Sequence, residues 1–399
     1  FLFSDDIQNF MLKNSLVTAH PQSSFIQVAS EESSSWMKQG RFTPLSFLWQ
    51  DGIFMNVPSV AAYRWFVLLM NFAGIAAFLF FLHTLNVNIN SAVWVACLCA
   101  VMQFRIQYHD AYTSLNGMYQ LLAVLVFLSV GFFVLFIKSR QWYFMFFSLL
   151  LYALAHLQSE VGISAFFFIP ATALLLKVPL GKTIKYFSPY LLATALYLTF
   201  VVWLKAEIAD KSSIYEGFQS NFDIHEMLGL LQRQMYSCLP LTNLHRQIAL
   251  PEILAHRFEL QPVITACIVA LSLAILLYYR RPIAHTHNRF NWIFVLYVLL
   301  LMTVPALFIL PSVKYQKTLQ MGSGYLPVYL QNLGTATLLA YIAGYLSARS
   351  SYFYKTAKVV FSVFIAICTG ITFLFNSALI NARMYELSSP SIAQYKSVK

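Results

Sequence analysis

Apolar runs of roughly membrane-spanning length alternate with short polar segments along almost the whole chain. These runs are 59–84, 91–104, 117–137, 142–156, 162–177, 184–204, 263–279, 290–310, 328–347 and 357–377. Phe1-Leu2-Phe3 reads as the end of a further, truncated run, while 91–104 and 142–156 are short enough that a pair could be re-entrant. Because a bilayer core needs about 20 apolar residues per helix, we predict about eleven spans. The fold class is then an all-α polytopic membrane protein, with one integral membrane domain over residues 1–399.

The charges of the polar segments divide them into two sets. The segments 138–142, 177–185, 278–289 and 348–358 are short and basic and contain no carboxylate, which is typical of cytoplasmic loops. The alternate segments hold nearly every acidic residue, and they are 4–57, 105–116, 157–161, 205–262, 311–327 and everything after 377. We therefore expect the chemistry on the outer face, where 4–57 and 205–262 are the two large loops.

Composition supports the membrane assignment and excludes a nucleic-acid partner. Hydrophobic residues make up 59% of the chain and charged residues 10%, whereas soluble domains carry about a quarter charged residues. In a membrane protein, the net charge of +11 reflects first the excess of Lys and Arg in cytoplasmic loops, which indicates how the chain is oriented in the membrane. Four of the five cysteines fall inside apolar runs, so no disulfide framework is predicted.

Two adjacent carboxylates, Asp5 and Asp6, follow the first apolar residues directly. Burial of one carboxylate beside another raises the pKa of one of them and produces a base that works near neutral pH. The amphipathic stretch "IQNFMLKNSL" comes next, as expected at a membrane surface. The alternative is the solvated start of an ordinary loop.

Two tight outer segments carry further reactive side chains. "RIQYHDAYTSLNG" brings Arg105, His109 and Asp110 within six residues, either as part of a site or as a surface ion pair of little energy. "HLQSEVG" places His156 and Glu160 between two apolar runs with almost no loop to solvate them. Such groups line a cavity or form structural hydrogen bonds inside the bundle.

Basic side chains on the outer side oppose the usual charge asymmetry and so indicate an anionic partner such as a lipid phosphate. Arg41 follows Gly40 in a predicted turn, and the aromatic residues around it suit an interfacial helix. The alternative is an aromatic-belt anchor with a snorkelling Arg41. Lys314, Tyr315 and Lys317 lie together in the last outer loop between two spans.

Taken together, these features resemble the GT-C superfamily of membrane glycosyltransferases. The shared features are an acidic pair after the first span, a long outer loop with "GRFTPLSF", an acidic residue in the next outer loop and about eleven spans. The likeness covers the architecture of most of the chain. It is strongest to bacterial relatives of the protein O-mannosyltransferases, to the lipid A aminoarabinose transferase and to the O-antigen glucosyltransferases.

This resemblance implies a polyprenyl-phosphate sugar as donor and transfer with inversion to a hydroxyl of a glycan, lipid or protein. It places the protein among the lipids of a bacterial inner membrane, with its site on the periplasmic face. Asp5 or Asp6 would be the catalytic base, with further acidic or polar groups at His109, Asp110 and Glu160. The residues expected to bind the donor or its leaving phosphate are Arg41, Arg105, Lys314, Tyr315 and Lys317.

Three alternatives stay open from the sequence. No cofactor is expected, but a divalent metal is possible because some members of the superfamily hold one with carboxylates, although this chain lacks the DxD spacing. A transporter or flippase of an anionic substrate would have broken helices, and the run 162–177 does contain Gly162 and Pro170. A scaffold or a polysaccharide polymerase partner is the third class.

Overall fold

The helical fold class is confirmed. The computed structural model describes residues 24–57, 59–87, 117–208, 219–239, 241–242, 260–279, 291–322, 324–325, 327–347 and 351–387. These residues are 85% helical and contain no β-strand. Three helices are long and apolar enough to cross a membrane, namely Ala61–Thr84, Met118–Ser139 and Leu180–Glu207. The described residues are therefore consistent with an all-α membrane protein, and the number of eleven spans stays a prediction.

Thirteen α-helices make up the described part of the chain. In order they are α1 (Phe25–Lys38), α2 (Pro44–Asn56), α3 (Val60–Thr84), α4 (Met118–Ser139), α5 (Trp142–Gln158), α6 (Ser164–Leu175), α7 (Leu180–Trp203), α8 (Ile224–Ser237), α9 (Leu260–Tyr279), α10 (Trp292–Leu307), α11 (Val313–Thr318), α12 (Val328–Ser347) and α13 (Ser351–Leu387). A 3₁₀ turn, Glu160–Ile163, precedes α6, and a π turn, Leu204–Ile208, follows α7.

The centre of the bundle is α4, which contacts α3, α5, α6 and α12. Of its apolar stretch, 67% is buried, compared with 22% of the stretch in α7. A helix that is apolar on all sides is expected at the core of a bundle. In contrast, α7 exposes leucines such as Leu192 and Leu196, and a large exposed apolar surface on a long helix is suited to lipid.

The two helices of the first predicted outer loop are packed structure. α1 contacts α2, and α2 contacts α4 and α5. Phe47, Ile53 and Phe54 of α2 are buried, and Phe54 stacks on Tyr63 of α3 with ring centroids 5.7 Å apart. This contact fixes the end of α2 against the start of α3.

The basic segments 138–142 and 177–185 lie at the same end of the bundle. Lys138 donates hydrogen bonds to the carbonyl of Thr84 and to Asn86 Oδ1. Arg140 Nη1 donates to the hydroxyl of Tyr186 at 2.6 Å. The ends of α3 and α4 and the start of α7 therefore lie at the same end, as the charge pattern requires.

Helix bounds depart from the apolar runs at two places. The run 162–177 is divided into the 3₁₀ turn and the short helix α6, which contains Pro170. The helix α13 extends beyond the run 357–377 at both ends and has 37 residues, or about 55 Å. The polar residues at its two ends continue the helix, since none of them is Gly or Pro. The only such residue in α13 is Gly370, near its middle.

Candidate functional site

Arg41 lies in a turn that is fixed between two helices. Gly40 adopts a left-handed φ of 85°, which favours glycine. The N–H of Gly40 donates to Met37 O and that of Arg41 to Trp36 O, both at 2.9 Å, and these bonds form a Schellman cap at the end of α1. Pro44 then begins α2. The backbone of Arg41 is therefore held on both sides.

The Arg41 side chain contacts a carboxylate and an aromatic ring. Its Nε lies 3.4 Å from Glu160 Oε1, and the two side chains are 24% and 32% exposed. Its Cζ lies 5.6 Å from the centroid of Trp36, within the range of a cation–π contact. A partly exposed ion pair stabilises the fold only weakly, so its main effect is to orient the guanidinium.

Glu160 is held by a turn that fits closely against α5. Ser159 Oγ accepts the N–H of Val161 at 3.3 Å, and the N–H of Gly162 donates to Ser159 O at 2.8 Å. A Cβ at Gly162 would lie 2.2 Å from the carbonyl oxygen of Ala155. The added Cβ would clash with a backbone atom, so glycine at position 162 permits the turn that carries Glu160.

Three tyrosines from different parts of the chain interact electrostatically with Arg41: Tyr119, Tyr315 and Tyr325. Tyr315 donates a hydrogen bond of 2.6 Å to the hydroxyl of Tyr325, and their ring centroids are 4.1 Å apart. We call Arg41, Glu160, Tyr119, Tyr315 and Tyr325 the Arg41 cluster. It joins the α1–α2 turn, the start of α4, the α5–α6 turn and the segment between α10 and α12.

The cluster keeps one permanent cation beside neutral hydroxyls. Burial by itself lowers the pKa of Arg41, but the carboxylate of Glu160 opposes this effect, and the pKa is raised above its usual value. Burial, with Tyr315 beside it, raises the pKa of Tyr325 well above the ordinary value. A guanidinium and neutral phenols are hydrogen-bond donors, and this donor set is suited to the oxygen atoms of an anion.

His156 and Tyr197 connect the cluster to α5 and α7. Tyr197 donates to Phe42 O at 3.2 Å, and its ring centroid lies 5.2 Å from that of His156. His156 is buried, and its Nδ1 lies 2.9 Å from Tyr152 O. For His156 the structure therefore favours the structural hydrogen bond over a cavity-lining role.

The structure brings together three of the predicted site residues: Arg41, Glu160 and Tyr315. Lys314 and Lys317 lie on the same short helix as Tyr315, and Lys314 is half-buried while Lys317 is exposed. The other predicted residues lie outside the residues that the structure describes, and these are Asp5, Asp6, Arg105, His109 and Asp110.

The sequence pattern does not identify Tyr119 and Tyr325 as members of the cluster. Tyrosines near the ends of membrane helices are common belt residues, so neither position stands out among the 23 tyrosines of the chain. Only the positions of Tyr119 and Tyr325 in the sequence were informative, since both residues lie in or beside segments that are predicted to face outward.

Within the described residues, no three His, Cys, Asp or Glu side chains lie close enough to hold a metal ion. What the cluster does contain is a cation with hydroxyl donors, which is an arrangement for binding an anion. No family model, no curated protein and no solved structure matches the chain.

Proposed function

We propose that the protein transfers a sugar from a polyprenyl-phosphate donor to an acceptor hydroxyl at the outer face of the membrane, with inversion. The observation that carries the proposal is the Arg41 cluster itself. It provides a permanent cation, oriented by Glu160 and Trp36 and accompanied by tyrosine hydroxyls. In this proposal the cluster binds the donor phosphate.

The proposed reaction is a single displacement. Asp5 or Asp6 removes the proton of the acceptor hydroxyl, and the resulting oxygen attacks the anomeric carbon from the side opposite the phosphate. The bond between that carbon and the phosphate oxygen breaks, and the electron pair leaves with the polyprenyl phosphate. Arg41 and the hydroxyl of Tyr325, which accepts a hydrogen bond from Tyr315 and keeps its own O–H as a donor, stabilise the negative charge that develops on the leaving group. Stabilisation of this kind is often a large catalytic effect.

The tyrosines matter because Glu160 offsets part of the positive charge of Arg41. An ion pair attracts phosphate less strongly than a lone guanidinium does. Neutral hydroxyl donors add hydrogen bonds without adding charge, while Lys314 and Lys317 contribute positive charge on α11. The proposal therefore assigns phosphate binding to the whole cluster rather than to Arg41 alone.

The position of the cluster also supports a lipid-linked substrate. Arg41, Glu160 and Tyr315 belong to segments that the charge pattern assigns to the outer face, and Lys138 and Arg140 belong to the opposite set. The exposed apolar surface of α7 is suited to the bilayer interior. A polyprenyl phosphate places its charge at the level of the lipid headgroups, close to the ends of the helices.

Transport of a lipid-linked anion is a second candidate, and the break before α6 favours it. The segment from Glu160 to Leu175 combines a 3₁₀ turn with a helix of 12 residues that contains Pro170. Transporters commonly bind substrates at such discontinuous helices. Transfer and transport differ in one product, since only transfer forms a new glycosidic bond.

The test uses the purified full chain in liposomes with labelled polyprenyl-phosphate sugars and extracted acceptors. We expect covalent transfer of label, and we expect Arg41→Ala to reduce the rate by at least about 100-fold. Arg140→Ala, at the opposite end of the bundle, is the matched control and should retain most of the activity. Movement of label across the bilayer without a glycosidic product would contradict transfer and support transport.

A further inference from the structure

The segment that carries Tyr315 and Tyr325 is tethered by the helix α8, from the large loop 205–262. Gln234 of α8 is fully buried. Its Oε1 accepts the N–H of Tyr325 at 2.9 Å, and its Nε2 donates to Tyr325 O at 3.1 Å. Nε2 also donates to Gln331 Oε1 of α12 at 2.8 Å. Gln234 thus pairs with the Tyr325 backbone as a neighbouring strand would.

The preceding residue of α8 holds the other end of the same segment. Arg233 Nη1 donates to Leu319 O at 2.9 Å, while its Nε donates to Gly229 O within the helix at 3.1 Å. Two consecutive side chains of α8 therefore fix the segment 319–325 at its first and last residues. Leu319 and Tyr325 both lie between α11 and α12.

A third tether precedes α8 and fixes the start of α11. Asn221 Nδ2 donates to Gln316 Oε1 at 3.0 Å, and Gln316 Nε2 donates back to Asn221 O at 2.9 Å. The N–H of Val313 donates to Gln219 O at 3.0 Å. The large loop thus holds the Val313 backbone and the Gln316 side chain, on either side of Tyr315, as well as the Tyr325 backbone.

From these contacts we infer that Gln234 is a positioning residue, which presents the hydroxyl of Tyr325 to an anion bound beside Arg41. The inference rests on the proposed function for the identity of the anion as a lipid phosphate. A side-chain amide is suited to this task because it accepts from a backbone N–H and donates to a backbone C=O at the same time. Gln234 itself touches no substrate, and it acts through Tyr325.

The first test measures the tether without a ligand. We compare hydrogen exchange of the full chain in detergent for the wild type, Gln234→Ala and Gln232→Ala. Gln232 is an exposed glutamine on the same helix and serves as the matched control. Faster exchange confined to 319–325 in Gln234→Ala alone supports the inference, and unchanged exchange there overturns it.

The second test measures whether the tether acts through Tyr325. Affinity for farnesyl phosphate is measured by calorimetry, with farnesol and inorganic phosphate as separate probes of the lipid and the phosphate. We expect Gln234→Ala to weaken farnesyl phosphate binding about fivefold, the effect of one ordinary hydrogen bond. In a Tyr325→Phe background the same change should have little effect, because the hydroxyl that Gln234 positions is already absent.

The outcomes separate this inference from the proposed function. An equal loss in both backgrounds shows that Gln234 is a general structural contact and overturns the positioning role alone. No binding of farnesyl phosphate by the folded wild type contradicts the proposed function. If Gln234→Ala does not fold, Arg233→Gln loosens the same segment at Leu319 and should give the same faster exchange and the same dependence on Tyr325.

Discussion

At the scale of single residues, Arg41 provides a charge that no working pH removes, in a geometry that its neighbours fix. The Schellman cap holds its backbone, and Glu160 and Trp36 orient its side chain. A planar guanidinium can make two parallel hydrogen bonds to a phosphate, which an ammonium group cannot. Lysine carries the same charge but lacks this planar group, so it does not replace Arg41.

We therefore expect Arg41→Lys to retain the fold but to bind farnesyl phosphate about tenfold more weakly, a difference of about 1.4 kcal/mol. Calorimetry on the detergent-solubilised protein measures this. Arg140→Lys, which alters an arginine at the opposite end, should leave the affinity unchanged. Equal affinity in Arg41→Lys would mean that charge alone is recognised.

Cys238 gives a second prediction at this scale. It ends α8 with 1% exposure, and burial raises the pKa of its thiol from 9.0 to about 12. Between these values the unfolded thiol loses its proton while the folded one keeps it. The free energy of unfolding should therefore fall as pH rises from 9 to 12, by up to about 1.4 kcal/mol per pH unit.

The measurement compares denaturant unfolding of the wild type and Cys238→Ala at pH 8 and pH 10. Other groups also titrate in this range, so the informative quantity is the difference between the two proteins. The wild type should lose more stability than the variant on going to pH 10. Equal losses would show that the folded thiol ionises as readily as the unfolded one.

The sequence made Arg41, Glu160 and Tyr315 candidates because each carries a local signal. Arg41 follows a glycine in a turn, Glu160 lies in a loop too short to solvate it, and Tyr315 stands between two lysines. Tyr119 and Tyr325 have no such signal. They join the cluster through contacts between distant parts of the chain, and one sequence does not reveal those contacts.

At the scale of elements, the α5–α6 turn depends on close approach of two backbones. A Cβ at Gly162 would lie 2.2 Å from Ala155 O and 3.1 Å from His156 N. Neither is the end of a flexible side chain, so the turn must move to accept it. Because Glu160 belongs to this turn, displacement here changes the Arg41 cluster.

We expect Gly162→Ala to lower the free energy of unfolding by about 1–3 kcal/mol and to weaken binding of farnesyl phosphate. Thermal unfolding in detergent and calorimetry measure the two effects. Gly181→Ala is the matched control, since nothing lies within 4 Å of a Cβ there, and in helix α7 it should be neutral or stabilising. Comparable stability of both variants would mean that the turn adjusts without strain.

Most helices could be predicted at this scale because an apolar run of the right length has few other ways to fold in a bilayer. The run 117–137, for example, corresponds to α4 at Met118–Ser139. The break before α6 and the extension of α13 were not predicted. The break before α6 depends on tertiary packing against α5. The extension of α13 consists of polar residues, which a search for apolar runs does not include in the helix.

At the scale of the whole molecule, the bundle has two chemically different ends. At one end Lys138 caps α3 and Arg140 binds Tyr186 of α7, and the Arg41 cluster occupies the other end. The positive-inside rule predicts that the Lys138 end faces the cytoplasm. This orientation is a prediction that labelling can test.

Single cysteines at Ser35 and Ser139, both exposed, should report opposite sides of the membrane. In intact cells, a membrane-impermeant maleimide should label Ser35→Cys and should label Ser139→Cys only after the cells are opened. Each cysteine is introduced into a variant without the native cysteines, so that every signal has one source. Labelling of both positions from the same side would contradict the two-ended arrangement.

The Arg41 cluster draws its members from both halves of the chain, with Arg41 near one end and Tyr325 far along it. A ribosome that has delivered the first helices into the membrane has therefore not yet delivered the complete Arg41 cluster. Tyr315 and Tyr325 join Arg41 only after α10 has been inserted and α8 can form its hydrogen bonds to Leu319 and Tyr325. The Arg41 cluster is therefore completed late in synthesis, and a chain that terminates before α11 lacks both Tyr315 and Tyr325.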